Sequence, residues 1–454
     1  MKKIMLGTTA LVGVAAMASG VQAADPLKLS LGGFAEYYMV ARSQRALNDD
    51  NAGNSQKGRG FSMYWEDAEI WFSASTQLDN GITVGYRMEL ETRNRDASGE
   101  QGNNTLVNSS TDRNHFRDDH RITFTGGFGQ FQLGDTAGAA NVMQYQAPGV
   151  TKIGVVDGTD LLINPSNNAA YVGTLTGAFN TNNRINYFTP RFAPGFQFGV
   201  SFAPEAGTTG RGNGGADGNA GPVQTEEDNG DFQSVTELGV NFVRSMNGVD
   251  VAWSLTGVYA PLEECEFDNT PTPNVSAGCV PVSLAGGSLG DPRPNADRMI
   301  GQTGFQVSFA GWTVGAGASI DNRGFHSNKG LAWEANAGVT YGIGPWAFGL
   351  QGGYGQVNNG FYDDVGAADS VTTGSAATSQ YVYKGGLDTK AAVGLGASYT
   401  LGPGILLQAE AQYINWDNQD FEKPNGVSAG VYDKLRSHKE SSGFAFAFGT
   451  ALSF

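Results

Sequence analysis

Long apolar runs and basic residues are both scarce in this sequence. Beyond residue 23, no apolar run is long enough to cross a membrane as an α-helix, which requires about 20 consecutive apolar residues. Against 44 Asp and Glu there are only 28 Lys and Arg, so the formal net charge is −16. Nucleic-acid binding depends on a basic surface, and this charge balance argues against it.

Glycine, by contrast, is abundant. The chain contains 66 glycines, and aromatic residues make up 11 % of it. A glycine in a helix interior costs roughly 1 kcal/mol relative to alanine. The composition therefore disfavours a helical protein and fits a β protein with many tight turns.

The first 23 residues have the pattern of a secretory signal peptide. Lys2 and Lys3 form a positive n-region, an apolar stretch follows over residues 4–18, and Val21-Gln22-Ala23 offers small residues for cleavage. We therefore predict a signal peptide over residues 1–23 and a single domain over residues 24–454. The alternative, an uncleaved membrane anchor, would need a longer apolar stretch.

Cysteine and histidine are rare enough to limit the chemistry of the chain. Cys265 and Cys279 are the two cysteines, and in an exported protein they predict a disulfide rather than a free thiol or a metal site. That bridge would close a loop of about 15 residues and contribute roughly 3 kcal/mol. The four histidines show no recognisable spacing to a serine nucleophile, so we do not expect an enzyme.

The last twelve residues, "GFAFAFGTALSF" (Gly443–Phe454), alternate strictly between large and small side chains. Such alternation predicts a β-strand with two unlike faces. Exposed to water, this strand would promote aggregation, so its apolar face must meet a protein core or a lipid bilayer.

Similar strands recur along the chain, joined by connections of two very different lengths. The first strands are expected at about Leu27–Val40, Asp67–Gln77 and Ile82–Thr92. Short turns are predicted at Asp79–Gly81, Gly126–Gly129, Ala193–Gly195, Ser245–Gly248, Ala310–Gly311, Gly342–Pro345 and Gly402–Gly404. Counting strands gives sixteen, with seven short turns and eight long connections.

This count places both termini at the short-turn end, so the first and last strands can pair. We therefore predict an all-β fold, a transmembrane 16-stranded antiparallel β-barrel, which is the outer-membrane architecture. A soluble sandwich or lipocalin-like barrel is the alternative. It would need the apolar side chains inside a packed core, and such domains rarely reach roughly 430 residues.

Four segments resemble the trimeric general porins of Gram-negative bacteria, in the branch common among alphaproteobacteria. They are "KLSLGGFAEYY" (28–38), "GGFGQFQLGD" (126–135), "NRINYFTPRFAPGFQFGVSF" (183–202) and the terminal Phe454. The resemblance covers the whole chain. It implies a homotrimer in the Gram-negative outer membrane, in contact with lipid and lipopolysaccharide, and a third long loop that folds into the lumen. Here that loop is about residues 136–182.

The expected constriction loop carries few charges. They are Lys152, Asp157 and Asp160, with Asp135 just before the loop. In "VVDGTDLL" two of these acids stand among apolar residues that could hold the loop against the inner wall. We predict that Asp157 and Asp160 line the narrowest point, although ordinary solvated loop residues would show the same pattern.

The opposite, basic side of the constriction is predicted from strand alternation. Arg87, Arg121 and Arg184 fall on the lumen phase, with Arg93 nearer the loop rim. Their location matches the early-strand arginines of the resembling family, and acids facing them would create a transverse field. The alternative is that each arginine pairs with an inward acid such as Glu89 or Glu91.

The lumen-phase charges of the strands lean negative. The acids are Glu36, Asp67, Glu69, Glu89, Glu91, Asp119, Glu237, Glu334 and Glu410, and the basic residues are Arg87, Arg93, Arg121, Arg184 and Lys390. We therefore predict a passive diffusion channel for small hydrophilic solutes and ions, with a weak preference for cations. An error of one residue in strand phase would reverse single assignments.

Two further possibilities stay open. A solute-specific channel, for example of sugar type, would show an aromatic track in the lumen, and Phe34, Tyr38 and Trp71 have the inward phase. The acidic clusters at Thr225–Asp231 and Glu263–Asp268 could hold a structural divalent cation such as calcium, although solvated acidic loops would look the same. No other cofactor is expected.

Overall fold

A computed structural model describes residues 26–44, 60–91, 117–164, 170–180, 182–205, 232–262, 296–325, 330–358, 387–419 and 440–454. The predicted signal peptide, Arg93, Glu91's side chain, the Cys265–Cys279 bridge and both acidic clusters lie outside these residues or their described side chains. Those predictions therefore stay predictions. Among the described residues, no helix is long and apolar enough to span a membrane.

The fold is a closed antiparallel barrel of sixteen strands, as predicted. The strands are β1 (Lys28–Gln44), β2 (Phe61–Gln77), β3 (Thr83–Glu91), β4 (Arg117–Gly126), β5 (Gly129–Thr136), β6 (Asn182–Phe188), β7 (Phe196–Glu205), β8 (Gln233–Met246), β9 (Val249–Ala260), β10 (Arg298–Phe309), β11 (Trp312–Asp321), β12 (Ala332–Ile343), β13 (Trp346–Asn358), β14 (Leu387–Gly402), β15 (Ile405–Gln419) and β16 (Glu440–Ser453).

The two terminal strands close the barrel. β1 pairs with β16 from Phe34↔Ser453 to Gln44↔Gly443. Beyond the last ladder pair, the backbone groups of Gly33 and Phe454 exchange two hydrogen bonds of 3.0 Å. A Cβ on Gly33 would overlap the Glu69 carbonyl and crowd the Phe454 ring, so this closure depends on a glycine.

Side chains alternate between the outer face and the lumen as the sequence predicts. On β16, Phe444, Phe446 and Phe448 are exposed on the outside, whereas Ala445 and Ala447 are buried on the inside. Lipid offers backbone groups no hydrogen-bond partners, so a sheet that spans a membrane must be closed. This barrel is closed, and its outer face is apolar, as contact with lipid requires.

Aromatic pairs mark both ends of the outer surface. Near the short turns, ring centroids lie 4.5 Å apart in Trp312–Tyr341 and 4.6 Å apart in Trp346–Tyr399. Near the long connections, Trp333–Tyr354 and Tyr413–Phe444 are separated by 5.5 and 4.7 Å. Two aromatic girdles of this kind are typical of barrels at the two membrane interfaces.

The second strand is longer than predicted, because β2 begins at Phe61 rather than near Asp67. The ladder between β1 and β2 shifts register there, with Asp67 opposite Glu36 and Trp65 opposite Tyr37. The bulge inserts Glu66 and reverses the alternation. A period-two pattern read from the sequence therefore stops at the bulge, although the strand continues.

The connection from β5 to β6 folds into the barrel and carries two short helical turns. They are α1 (Ala139–Val142) and a 3-10 helix at Thr176–Phe179. The connection occupies residues 137–181 between the two strands, close to the predicted 136–182. We call it the inner loop.

Candidate pore constriction and its two walls

The inner loop lies against the lumen face of the barrel and is held there by side chains of successive strands. Backbone N–H groups of the loop donate to polar side chains of β8, β9, β12 and β15. The bonds are Ala140 N to Glu237 Oε2 (2.9 Å), Tyr145 N to Ser254 Oγ (2.8 Å), Ala147 N to Asn336 Oδ1 (2.9 Å) and Leu161 N to Gln412 Oε1 (3.0 Å). We call this loop-bearing side, from β7 to β15, the covered wall.

Glycines on the covered wall make room for the loop backbone. A Cβ on Gly304 would overlap the carbonyl oxygen of Tyr145, and one on Gly355 would overlap that of Tyr171. Other lumen-facing glycines of the wall that closely approach the loop are Gly239, Gly315, Gly317, Gly338, Gly349, Gly353, Gly394 and Gly396. Together they form a trough in which the loop rests on strand backbone.

Apolar residues fix the middle of the inner loop. In "VVDGTDLL", Val155, Val156, Leu161 and Leu162 are buried in one cluster with strand residues that include Tyr38 and Trp416. Fully burying such a side chain contributes about 1.5–3 kcal/mol. The two acids of this segment, Asp157 and Asp160, are thereby held at a defined place on the loop.

A buried ion pair anchors the start of the loop. Arg184 on β6 and Glu237 on β8 form a salt bridge, and both side chains are almost fully buried. Arg184 also donates to the Phe179 carbonyl, and Glu237 accepts from the backbone of α1. Arg184 is therefore a structural partner of the loop, whereas the sequence placed it at the open constriction.

The opposite side of the lumen, from β2 to β5, carries charged side chains and few loop contacts. We call it the open wall. Arg87 and Arg121 are directly opposite each other on β3 and β4. Arg87 pairs with Glu89, and Arg121 pairs with Asp119. The alternative in which inward arginines pair with inward acids thus applies to both.

Asp157 lies at the exposed edge of the inner loop. Its backbone is left-handed, with φ 56°, and its carboxylate accepts hydrogen bonds from Tyr171 Oη and Gln146 Nε2, both of 2.9 Å. Burial and the Asp157 carboxylate both raise the pKa of Tyr171, so its hydroxyl keeps the proton that it donates. Both partners are neutral, so neither forms an ion pair with the Asp157 carboxylate.

Asp160 and Lys152 have different surroundings. Asp160 accepts two 2.8 Å hydrogen bonds from Lys390 Nζ, which is itself nearly buried. Lys152 is exposed, and its Nζ lies 5.7 Å from the ring centroid of Phe34 on β1. Of the predicted loop charges, Asp157 and Lys152 are therefore the two that reach the aqueous lumen without an ion-pair partner among the described residues.

Asp135 has the outward phase and does not face the lumen. On β5 it alternates with the lumen-facing Gln132 and Thr136, and it shares its face with exposed Phe131 and Leu133. Its ladder neighbours are His120 and Asn183. Asp135 directly precedes the loop, so the sequence-based prediction grouped it with the charges of the constriction. Its position in the alternation of β5 instead gives it the outward face.

The residues that dock the loop were not identified from the sequence. Gln408, Gln412, Gln302 and Asn336 all bond to loop backbone. The sequence did contain a sign of them. The lumen-facing positions of the late strands are repeatedly Gln, Asn and Gly, where an open pore would be expected to carry charges. Among the described residues, no group of three or more metal-ligating side chains occurs.

Comparisons with known proteins agree with this geometry. The sequence matches the family model described as Gram-negative porin over residues 7–419. No curated protein matches the chain in sequence.

The fold is shared by solved structures, of which two illustrate the similarity to this chain. An anion-selective porin from Comamonas acidovorans aligns at 15 % identity and TM-score 0.51, covering 94 % of this chain and 100 % of its own. A loop L8 deletion mutant of OmpT, an outer membrane protein of Vibrio cholerae, aligns at 10 % identity and TM-score 0.50, covering 95 % and 100 %. Such low identities show the fold alone. With the family match and the closed barrel, the chain belongs to the Gram-negative porins and is an integral outer-membrane diffusion channel.

Proposed function

We propose that this porin passes small hydrophilic solutes and ions by passive diffusion and weakly prefers cations. The observation that carries the proposal is the pairing of the basic lumen residues. Arg87, Arg121, Arg184 and Lys390 each form a salt bridge with a carboxylate. These four positive charges are therefore locally neutralised.

The exposed carboxylate at the edge of the inner loop favours cations. Asp157 is exposed with neutral partners, and Asp67 adds a partly exposed carboxylate on the lumen phase, whereas Glu36, Glu334 and Glu410 are buried. Among the described residues, Lys152, Arg42 and Arg191 oppose this preference, which is why we expect it to be weak. Charges that line a pore set its ion preference, and an exposed charge acts over roughly 10 Å at 0.1 M salt.

We further propose that the aperture lies between the inner loop and the open wall. The loop contributes Asp157 and Lys152 at its edge, and the wall contributes the paired Arg87 and Arg121. This arrangement leaves a narrow water-filled passage, because sixteen strands enclose more space than side chains can fill.

A homotrimer is proposed from the outer surface of β3 to β6. β5 and β6 have 8 and 7 residues, whereas a membrane-spanning strand needs about 9–11. On the same face His120, Asp135 and Asn183 are in direct register, and His120 Nε2 lies 2.9 Å from Tyr86 Oη. Polar groups on a lipid-facing wall are costly, so contact with other subunits suits this face better than lipid.

A sugar-type specific channel has less support. Its predicted aromatic track included Tyr38, which is fully buried beneath the loop. The two remaining rings, Phe34 and Trp71, form one adjacent pair with centroids 5.7 Å apart, which is not a track along the lumen.

Planar-bilayer recording of the purified protein under a KCl gradient tests the proposal. We expect large steps in groups of three and a reversal potential that favours K⁺. Anion preference would contradict the charge assignment. A lack of conductance would overturn the diffusion-channel function itself.

A further inference from the structure

One lumen feature is not explained by ion diffusion. Two aromatic rings, Phe34 on β1 and Trp71 on β2, have the lumen phase. Their centroids are 5.7 Å apart, and both residues are partly exposed. Because burying apolar surface is favourable, contact between these rings and the ring of a passing solute would stabilise the solute there.

Each ring lies beneath a cation from a different element. The Arg87 guanidinium is 4.4 Å from the Trp71 centroid, and Lys152 Nζ of the inner loop is 5.7 Å from that of Phe34. The patch therefore joins the loop edge to the open wall. We call these four residues the aromatic patch.

The acids beside the patch are less accessible than its cation. Glu36 is 3 % exposed and accepts from Tyr38 Oη, and Glu69 is 9 % exposed and accepts from Trp71 Nε1 at 2.8 Å. Arg87 is neutralised by Glu89. Lys152, in contrast, is exposed and has no ion-pair partner among the described residues. A passing solute thus meets one exposed ammonium, with the buried Glu36 carboxylate within electrostatic range, beside two apolar rings.

We propose that the aromatic patch is a weak binding site for aromatic carboxylates on their way through the pore. The solute carboxylate pairs with Lys152 Nζ, and its ring lies against Phe34 and Trp71. The bond from Trp71 to Glu69 fixes the indole orientation, so the apolar surface is pre-formed. This inference rests on the proposed diffusion function and adds a solute class to it.

The patch complements an aromatic acid better than other solutes. A small carboxylate such as acetate can pair with Lys152 but gains nothing from the rings. An aromatic cation would be repelled by the Lys152 ammonium. Local preference for an organic anion is compatible with a lumen whose total charge favours inorganic cations, because the two effects act over different distances.

The test is single-channel recording of the full-length protein in KCl with potassium benzoate added to one side. We expect benzoate to reduce or interrupt the current at concentrations on the order of 10 mM, as one exposed ion pair and one ring contact would give. Acetate and the organic cation phenyltrimethylammonium at the same concentration are expected to have a much smaller effect.

Variants of the patch sharpen the test. Lys152→Met should weaken the apparent benzoate affinity about fivefold, which corresponds to the loss of one exposed pair, and Lys152→Arg should restore most of it. Phe34→Leu should also weaken benzoate block. Arg191→Gln, which removes an exposed cation away from the patch, is the matched control and should leave the block unchanged.

Three results would overturn the site. Benzoate could reduce the current no more strongly than acetate, or phenyltrimethylammonium could reduce it more strongly than benzoate. Benzoate could also block the Lys152→Met channel as strongly as the unmodified channel. Each can be recognised while the KCl conductance is intact. Loss of KCl conductance in the unmodified protein would instead count against the diffusion function.

Discussion

The two walls of the lumen solve different problems with different residues. The covered wall uses glycines, amides and buried carboxylates, so that the loop backbone can approach and be hydrogen-bonded. The open wall uses arginines and acids in partly buried pairs, with few contacts to the loop. One wall therefore determines where the loop lies, and the other determines what the passing solute meets. Substitutions on the first should alter stability and loop position, and those on the second should alter selectivity.

The largest difference is expected between the ion pairs of the two walls. Glu237→Ala leaves Arg184 charged and buried without its partner, which should cost about 3–5 kcal/mol of folding free energy. Glu89→Ala on the open wall leaves a partly exposed Arg87, with a cost of about 1 kcal/mol or less. Urea unfolding of both variants in the same detergent measures this difference. Equal losses would mean that the covered wall is not the anchor.

Removal of the apolar contact of the loop should be the next largest effect. Leu162 is buried in the cluster that fixes the middle of the loop, and Leu162→Ala should cost about 2–5 kcal/mol. Limited proteolysis should then cleave the inner loop faster. Val142→Ala is the control, because Val142 belongs to the same loop and is exposed. Similar cleavage of both variants would contradict the role of the cluster.

The fold could be predicted from alternation because each strand has one lipid face and one lumen face. The strand count followed from this pattern and from the turn residues, whereas the inner loop was expected from the resemblance to the porin family. The bulge at Glu66 was missed, because period two cannot register an inserted residue. Individual site roles were harder: Arg184 and Arg87 share the inward phase, yet one is beneath the loop and the other is not. That distinction depends on the path of the loop, which no local pattern contains.

A glycine of the trough should control loop position. Gly355→Ala places a Cβ against the Tyr171 carbonyl, and overpacking of this kind costs about 1–3 kcal/mol. The loop should shift away from the covered wall, and single-channel conductance should change. Gly301→Ala adds a methyl group on the outer face, 3.6 Å from the nearest atom, Ile320 Cγ2, and should conduct normally. If Gly301→Ala changed the conductance and Gly355→Ala did not, the trough glycine would not control the position of the loop.

The smallest effect is expected at the exposed loop edge. Asp157→Asn keeps the shape and removes one lumen charge, so the K⁺ over Cl⁻ permeability ratio should fall by about 1.5- to 2-fold, as expected for one screened charge. Asp160→Asn should change the ratio less, because Asp160 is paired with Lys390. Reversal potentials under a KCl gradient give both ratios. A larger effect at Asp160 would place the aperture elsewhere.

The most direct test of the two-wall arrangement is thiol labelling in an open channel. In a Cys265→Ser, Cys279→Ser background, Thr123→Cys reports on the open wall and Ser254→Cys on the covered wall, where Ser254 is fully buried beneath Tyr145. A cationic methanethiosulfonate reagent is added during bilayer recording. We predict a lasting drop in conductance for Thr123→Cys and none for Ser254→Cys. Rapid block of Ser254→Cys, with Thr123→Cys unaffected, would contradict an aperture between the inner loop and the open wall.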